Sequence, residues 1–108
     1  MSVLSDKQAR HVKFTALLIL YIYERGYTAA WSFAKRCDEC TVGKDKSLHK
    51  IKLAIDLDLF KDGKYLTKTK DYEFAGVFWE SLDPSCEWGG SDGRDDGCHF
   101  SISHNGRW

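Results

Sequence analysis

Two imidazoles and one carboxylate, His49, Asp56 and His99, are the residue types of a catalytic zinc site whose fourth corner is left to water. His49 precedes Asp56 by seven residues. That odd spacing requires a turn or bulge between them, because a continuous strand would send the two side chains to opposite faces. Asp96 stands three residues before His99 on a glycine-flanked loop entering a strand. A carboxylate there is placed to take a proton from a zinc-bound water, whose pKa falls to about 7, and to return it to a leaving amine. A plainer reading also stands. Scattered His and Asp residues are common on polar surfaces, and Asp96 sits among Asp92, Gly93, Asp95 and Gly97 as a solvated turn residue would.

Positioning these groups requires strands and helices, and the periodicities supply them. Leu53, Ile55, Leu57 and Leu59 alternate with Ala54, Asp56 and Asp58, which predicts a strand with one apolar face and two carboxylates on the other. His99 to Ser103 alternates as well, with His99 on the polar face and Phe100 and Ile102 opposite. Ser5 and Gln8 fit a capping box and Gly26 a C-terminal stop. The residues between them predict one long helix with Val12, Ala16, Ile19 and Tyr23 inward and Leu17 and Leu20 widening the stripe. Tyr27–Phe33 suits a strand, Lys61–Lys64 a tight turn, Tyr65–Thr67 a returning strand, and Asp71–Leu82 a second helix carrying Phe74, Phe78 and Leu82. After Asp83-Pro84 the glycines predict loop. The expected class is α+β, a small antiparallel sheet packed on helices, in a single domain spanning residues 1–108.

Composition narrows the function. The 108 residues suit one core, and 43% apolar residues exclude general disorder. Sixteen basic and sixteen acidic residues cancel, which removes the simplest electrostatic case for nucleic acid or an anionic membrane. No apolar run approaches the ~18 residues of a membrane span. Lys7, Arg10 and Lys13 followed by apolar Ala16–Tyr23 imitate a signal peptide, but Glu24 and Arg25 interrupt it before any cleavage point, which favours a buried helix.

Ser47-Leu48-His49, then Ala54-Ile55-Asp56, then Asp96-Gly97-Cys98-His99 together resemble the S-x-H-(x)4-A-x-D and D-x-x-H signatures of the zinc D-Ala-D-Ala carboxypeptidases and L-Ala-D-Glu endopeptidases of the Hedgehog/DD-peptidase fold. The likeness is to the short phage endolysin-type members. Leu59–Thr67, Phe78–Leu82, Trp88-Gly89-Gly90 and His104–Arg107 look like further landmarks, so it covers nearly the whole chain. The resemblance implies Zn²⁺ held by His49, Asp56 and His99, with Asp96 as general base. It implies Arg36 against the developing oxyanion or a substrate carboxylate, and Ser47 at the border of the substrate site. Trp88 and the adjoining glycine-rich loop are the expected cleft wall. Two cysteines near Arg36, Cys37 and Cys40, depart from the pattern, as does the acidic stretch Ser91–Asp95, which makes Asp95 a rival to Asp96.

The expected activity is hydrolysis of an amide in the peptidoglycan stem peptide at the L-Ala-D-Glu bond. Alternatives are a D-Ala-D-Ala carboxypeptidase, a non-catalytic zinc-binding module of the same fold, or a disulfide-braced interaction domain. Cys37, Cys40, Cys86 and Cys98 allow a four-thiolate zinc site, two disulfides or four thiols. His11 and His104 are expected at the surface or behind the ligands. A monomer is expected, made in the host cytoplasm without a clear signal peptide, with no nucleic-acid partner and no stable membrane insertion, acting on the bacterial wall once a permeabilising partner lets it through.

Overall fold

The computed structural model describes residues 3–32 and 53–104, so Arg36, Cys37, Cys40, Ser47 and His49 lie outside the described residues. The first helix, α1 (Val3–Glu24), ends as the sequence predicts. Gly26 has φ +89°, Tyr27 N–H donates to Ile22 O at 3.1 Å, and Gly26 N–H to Tyr23 O at 3.1 Å, the paired bonds of a Schellman motif. Its start differs. The helix begins at Val3, so Ser5 lies within the first turn and not at a cap.

The buried face of α1 also differs from expectation. His11, Thr15, Leu18 and Ile22 point inward, while Val12 is 70% and Leu20 65% exposed. The C-terminal half of the helix is apolar nearly all round, so spacing alone could not choose between faces. His11, expected at the surface or behind the ligands, is not at the surface: it is buried, with its ring edge-on against Trp79 at 5.4 Å and its Nε2 3.4 Å from Phe100 O. An imidazole can satisfy itself there where an aliphatic residue would be needed otherwise.

The strands are β1 (Thr28–Trp31), β2 (Ala54–Lys61), β3 (Lys64–Tyr65), β4 (Cys86–Trp88) and β5 (His99–Ile102). They form an antiparallel sheet in the order β1-β2-β5-β4, with β3 also paired to β2. Asp62 and Gly63 both have positive φ, 52° and 79°, which makes the β2–β3 connection a two-residue type I′ hairpin of the kind Asp-Gly favours. A short 3₁₀ turn (Thr69–Tyr72) leads into α2 (Glu73–Leu82). β4 lies in the stretch predicted as loop, since three residues between Pro84 and a Gly pair are too few to show a period.

Both helices cover one face of the sheet. Leu57 and Leu59 of β2, Phe100 and Ile102 of β5, and Cys86 and Trp88 of β4 meet Leu18, Ile22, Ala75 and Trp79 in one core. The described residues thus make a single α+β domain of two layers, with helices on one side and the polar face of the sheet on the other. No helix among them is long and apolar enough to cross a membrane.

One gap in the sheet is closed by a side chain. Between β3 and β5, on the same edge of β2, the Tyr72 hydroxyl accepts from Leu59 N–H at 3.1 Å and donates to Leu66 O at 2.7 Å. Burial pushes its pKa from 10.0 up to about 12. Burial does the same to the Cys86 thiol, from 9.0 to about 12. Both groups are neutral when protonated, and the unfolded chain ionises them first. Their contribution to stability is whole below pH 9 and lost as pH climbs toward 12. The urea midpoint should therefore fall between pH 9 and pH 11, and a flat profile would contradict the burial of both groups.

Cys86 is a free thiol within the apolar core, so two disulfides using all four cysteines are not formed.

Candidate functional site

The polar face of the sheet is assembled by strand register. β2 and β5 pair so that Asp56 stands opposite His99, Ile55 opposite Phe100 and Ala54 opposite Ser101. Directly opposed residues of an antiparallel pair project to the same side. Leu57 and Leu59, at the other parity, fill the core, so Asp56 is driven to the far face with His99. The His99 Nδ1 to Asp56 Oδ1 distance is 3.4 Å. His99 is 6% exposed, and the Asp56 side chain is well shielded.

Asp96 reaches the same imidazole from the loop before β5. Its Oδ2 lies 4.0 Å from His99 Nδ1, and the Cys98 thiol approaches its Oδ1 at 3.7 Å. Backbone bonds hold the approach. Gly89 N–H donates to His99 O at 2.8 Å, His99 N–H to Asp96 O at 3.1 Å, and Asp96 N–H to Gly89 O at 3.2 Å. Gly89 is required, because a Cβ there would lie 2.1 Å from Asp96 O and 2.8 Å from the His99 Cβ. Backbone on that side cannot yield cheaply, so Gly89→Ala should cost about 1–3 kcal/mol in urea unfolding and displace Asp96. An unchanged midpoint would mean the loop is not seated as described.

Asp95 does not share this placement. It accepts a hydrogen bond from the Thr69 hydroxyl and sits at the exposed rim, whereas Asp96 is the carboxylate beside His99.

Trp88 is a correction. The indole is 6% exposed, too buried to form a cleft wall, and it is not among the residues lining the cavity beside Asp96. It lies against Gly76 and Gly90, where an added Cβ would come within 2.1 Å and 2.5 Å of the ring, and its Nε1–H donates to Gly97 O at 2.7 Å. The ring belongs to the core and anchors the loop from below.

Sequence reasoning missed two other anchors of that loop. Arg94 donates from Nε to Ser91 O at 2.8 Å and from Nη2 to Trp88 O at 2.9 Å, and pairs with Glu87 at 3.3 Å. Glu80 accepts from Trp88 N–H at 3.0 Å and from the Ser91 hydroxyl at 2.6 Å. A lone Arg in an acidic, glycine-rich stretch was the available signal for the first.

A cavity of about 200 Å³ opens beside Asp96. The end of β3 and the segment after it form one wall, with Tyr65, Lys68 and Thr69, and Asp95–Cys98 forms the other. Tyr65–Thr67 were expected as a returning strand within a family-like landmark, but the sequence assigned no site role to them, to Lys68 or to Thr69.

Asp56 and His99 suit a shared metal ion. Two donors bound at 2.0–2.2 Å in a tetrahedron are roughly 3.4 Å apart, and Oδ1 and Nδ1 stand at that separation. Among the described residues no group of three or more His, Cys, Asp and Glu side chains is arranged to hold a metal. The pair would need a further ligand, and His49, the sequence's choice, lies outside the described residues. No protein-family model, curated protein or solved structure matches the chain.

Proposed function

We propose that the chain is a zinc-dependent peptidase that hydrolyses an amide of the peptidoglycan stem peptide, at the L-Ala-D-Glu bond, on a Hedgehog/DD-peptidase-like fold. The observation that supports it most is the in-register Asp56–His99 pair with Asp96 at its shoulder. These are three of the four residues that the S-x-H-(x)4-A-x-D and D-x-x-H patterns assign to metal and base. The fourth is His49.

In this reading Asp56, His99 and His49 would hold the ion. Bound there, zinc would polarise the scissile carbonyl and acidify the attacking water. Asp96 takes the proton that the water loses as its oxygen bonds to the carbonyl carbon. It then delivers that proton to the amine nitrogen as the C–N bond breaks. Arg36 supplies fixed, permanently charged donors to the carbonyl oxygen or to a substrate carboxylate, and Ser47 borders the site. The cavity between Tyr65–Thr69 and Asp95–Cys98 replaces Trp88 as the place for the peptide, since it opens at Asp96. Gly89, Trp88 and Arg94 position the base by fixing its loop.

Mass spectrometry of muropeptides after digestion, with and without a chelator, tests the proposal. Free L-Ala termini and new D-Glu amines that vanish with the chelator are expected. Release of the terminal D-Ala instead would make the enzyme a carboxypeptidase. An intact stem peptide with zinc bound would leave a non-catalytic zinc module, and the peptidase reading would fall.

A further inference from the structure

The outer face of α1 is not accounted for by the fold or by the proposed site. Lys13, Leu17, Leu20 and Glu24 are all exposed and follow one another at i, i+4, i+7 and i+11. That spacing makes a single straight stripe, about 16 Å long at 1.5 Å per residue. Val12 at 70% and Tyr23 at 49% exposure flank it. A helix with apolar residues both inward and outward over the same turns ordinarily has a covering on each side. The inward side is the core. The outward side has charge at both ends and two leucines between, and neither Lys13 nor Glu24 has an ion-pair partner among the described residues.

The stripe reads Lys-Leu-Leu-Glu, and its charges reverse when the direction is reversed. Laid antiparallel on an identical copy about a two-fold axis between Leu17 and Leu20, it matches itself. Lys13 meets Glu24, Leu17 meets Leu20, and each contact occurs twice, as an isologous interface requires. A parallel arrangement would set Lys13 against Lys13 and Glu24 against Glu24. We propose that this face of α1 is a dimer interface and that its occupant is a second copy of the chain packed antiparallel. The dimer departs from the monomer expected from the sequence. It leaves the Asp56–His99 face free, because that face lies on the side of the sheet away from α1.

Sedimentation equilibrium on the whole chain tests it, with circular dichroism confirming that each variant is folded. The wild type should dimerise at tens of micromolar. Leu20→Asp, at an exposed position, should abolish the dimer. Lys13→Glu alone and Glu24→Lys alone should each raise Kd about tenfold, since each puts like charges together at two symmetric places. The double swap K13E/E24K should return Kd to near the wild-type value, because the pattern is again self-complementary. A wild-type monomer at several hundred micromolar overturns the proposal. So does a double swap no tighter than the single variants, which would exclude the antiparallel register. Wild-type monomer that co-sediments with vesicles of 3:1 phosphatidylcholine and phosphatidylglycerol, and loses this with Leu20→Asp, would give the face to lipid and also overturn it.

Discussion

Asp96→Asn is expected to lower turnover on purified peptidoglycan by about 10²–10⁴-fold, the range a positioned acid–base group contributes, with zinc content unchanged. The substitution is nearly isosteric and spares the contacts that seat the loop, since these run through the Asp96 N–H and carbonyl to Gly89 and His99. The amide oxygen can still accept from the Cys98 thiol, whose sulfur lies 3.7 Å from Oδ1. What it cannot do is take a proton. Asp95→Asn is the matched control. That carboxylate accepts from Thr69 at the rim, and its loss should leave turnover near the wild-type rate. Full activity in Asp96→Asn would refute the base role. Loss of zinc together with activity would instead make Asp96 a ligand.

The elements that carry these residues were legible to different degrees. The alternation Leu53 to Phe60 showed both the strand and its polar side, because a half-buried strand has only two faces and apolar residues occupy one of them. The Asp62-Gly63 turn and the Gly26 stop were legible for the same local reason, a φ that glycine adopts without cost. The facing of α1 was not. Leu18 and Ile22 are no more apolar than Leu20 or Val12, and the choice was made by Trp79 and Phe100, distant in sequence. β4 was hidden by its own brevity and by Gly89 and Gly90, which look like loop residues. One is there to admit the Asp96 carbonyl and the other to admit the Trp88 ring. Trp88 was misplaced by the same appearance: an aromatic beside two glycines suggests an open cleft, and here one of them, Gly90, together with Gly76 of α2, is the space into which the ring packs.

The site was legible in its parities and not in its register. Asp56 and His99 were each assigned to the polar side of a strand. That the strands are neighbours, paired so that these two residues face each other, depends on contacts across 43 positions of chain. No local pattern encodes that. Of the remaining candidates, Arg36, Ser47 and His49 rest on the resemblance alone, so the test of the metal assignment falls on the two of its three ligands that the fold brings together.

His99→Ala is the sharper of those tests. It removes the Nδ1 donor 3.4 Å from Asp56 Oδ1, and with it one ligand of the proposed site. Loss of an outer partner of a ligand already weakens metal binding by about 10–100-fold, so loss of the ligand itself should weaken zinc by more than about 100-fold. Stability gives a readout independent of catalysis. Zinc at 100 times its Kd should raise the unfolding free energy of the wild type by about 2.7 kcal/mol, because the ion binds the folded state. His99→Ala should show no such rise. Ser101→Ala separates this from general damage to the strand: Ser101 is fully buried two residues along β5, on the same face, with its hydroxyl 3.5 Å from Glu87 O. It should keep the zinc-dependent shift. If zinc stabilises His99→Ala as much as it does the wild type, the ion binds elsewhere and Asp56 and His99 are an ordinary buried side-chain contact. If zinc stabilises neither, the chain has no site for it, and the hydrolase reading fails at its first step.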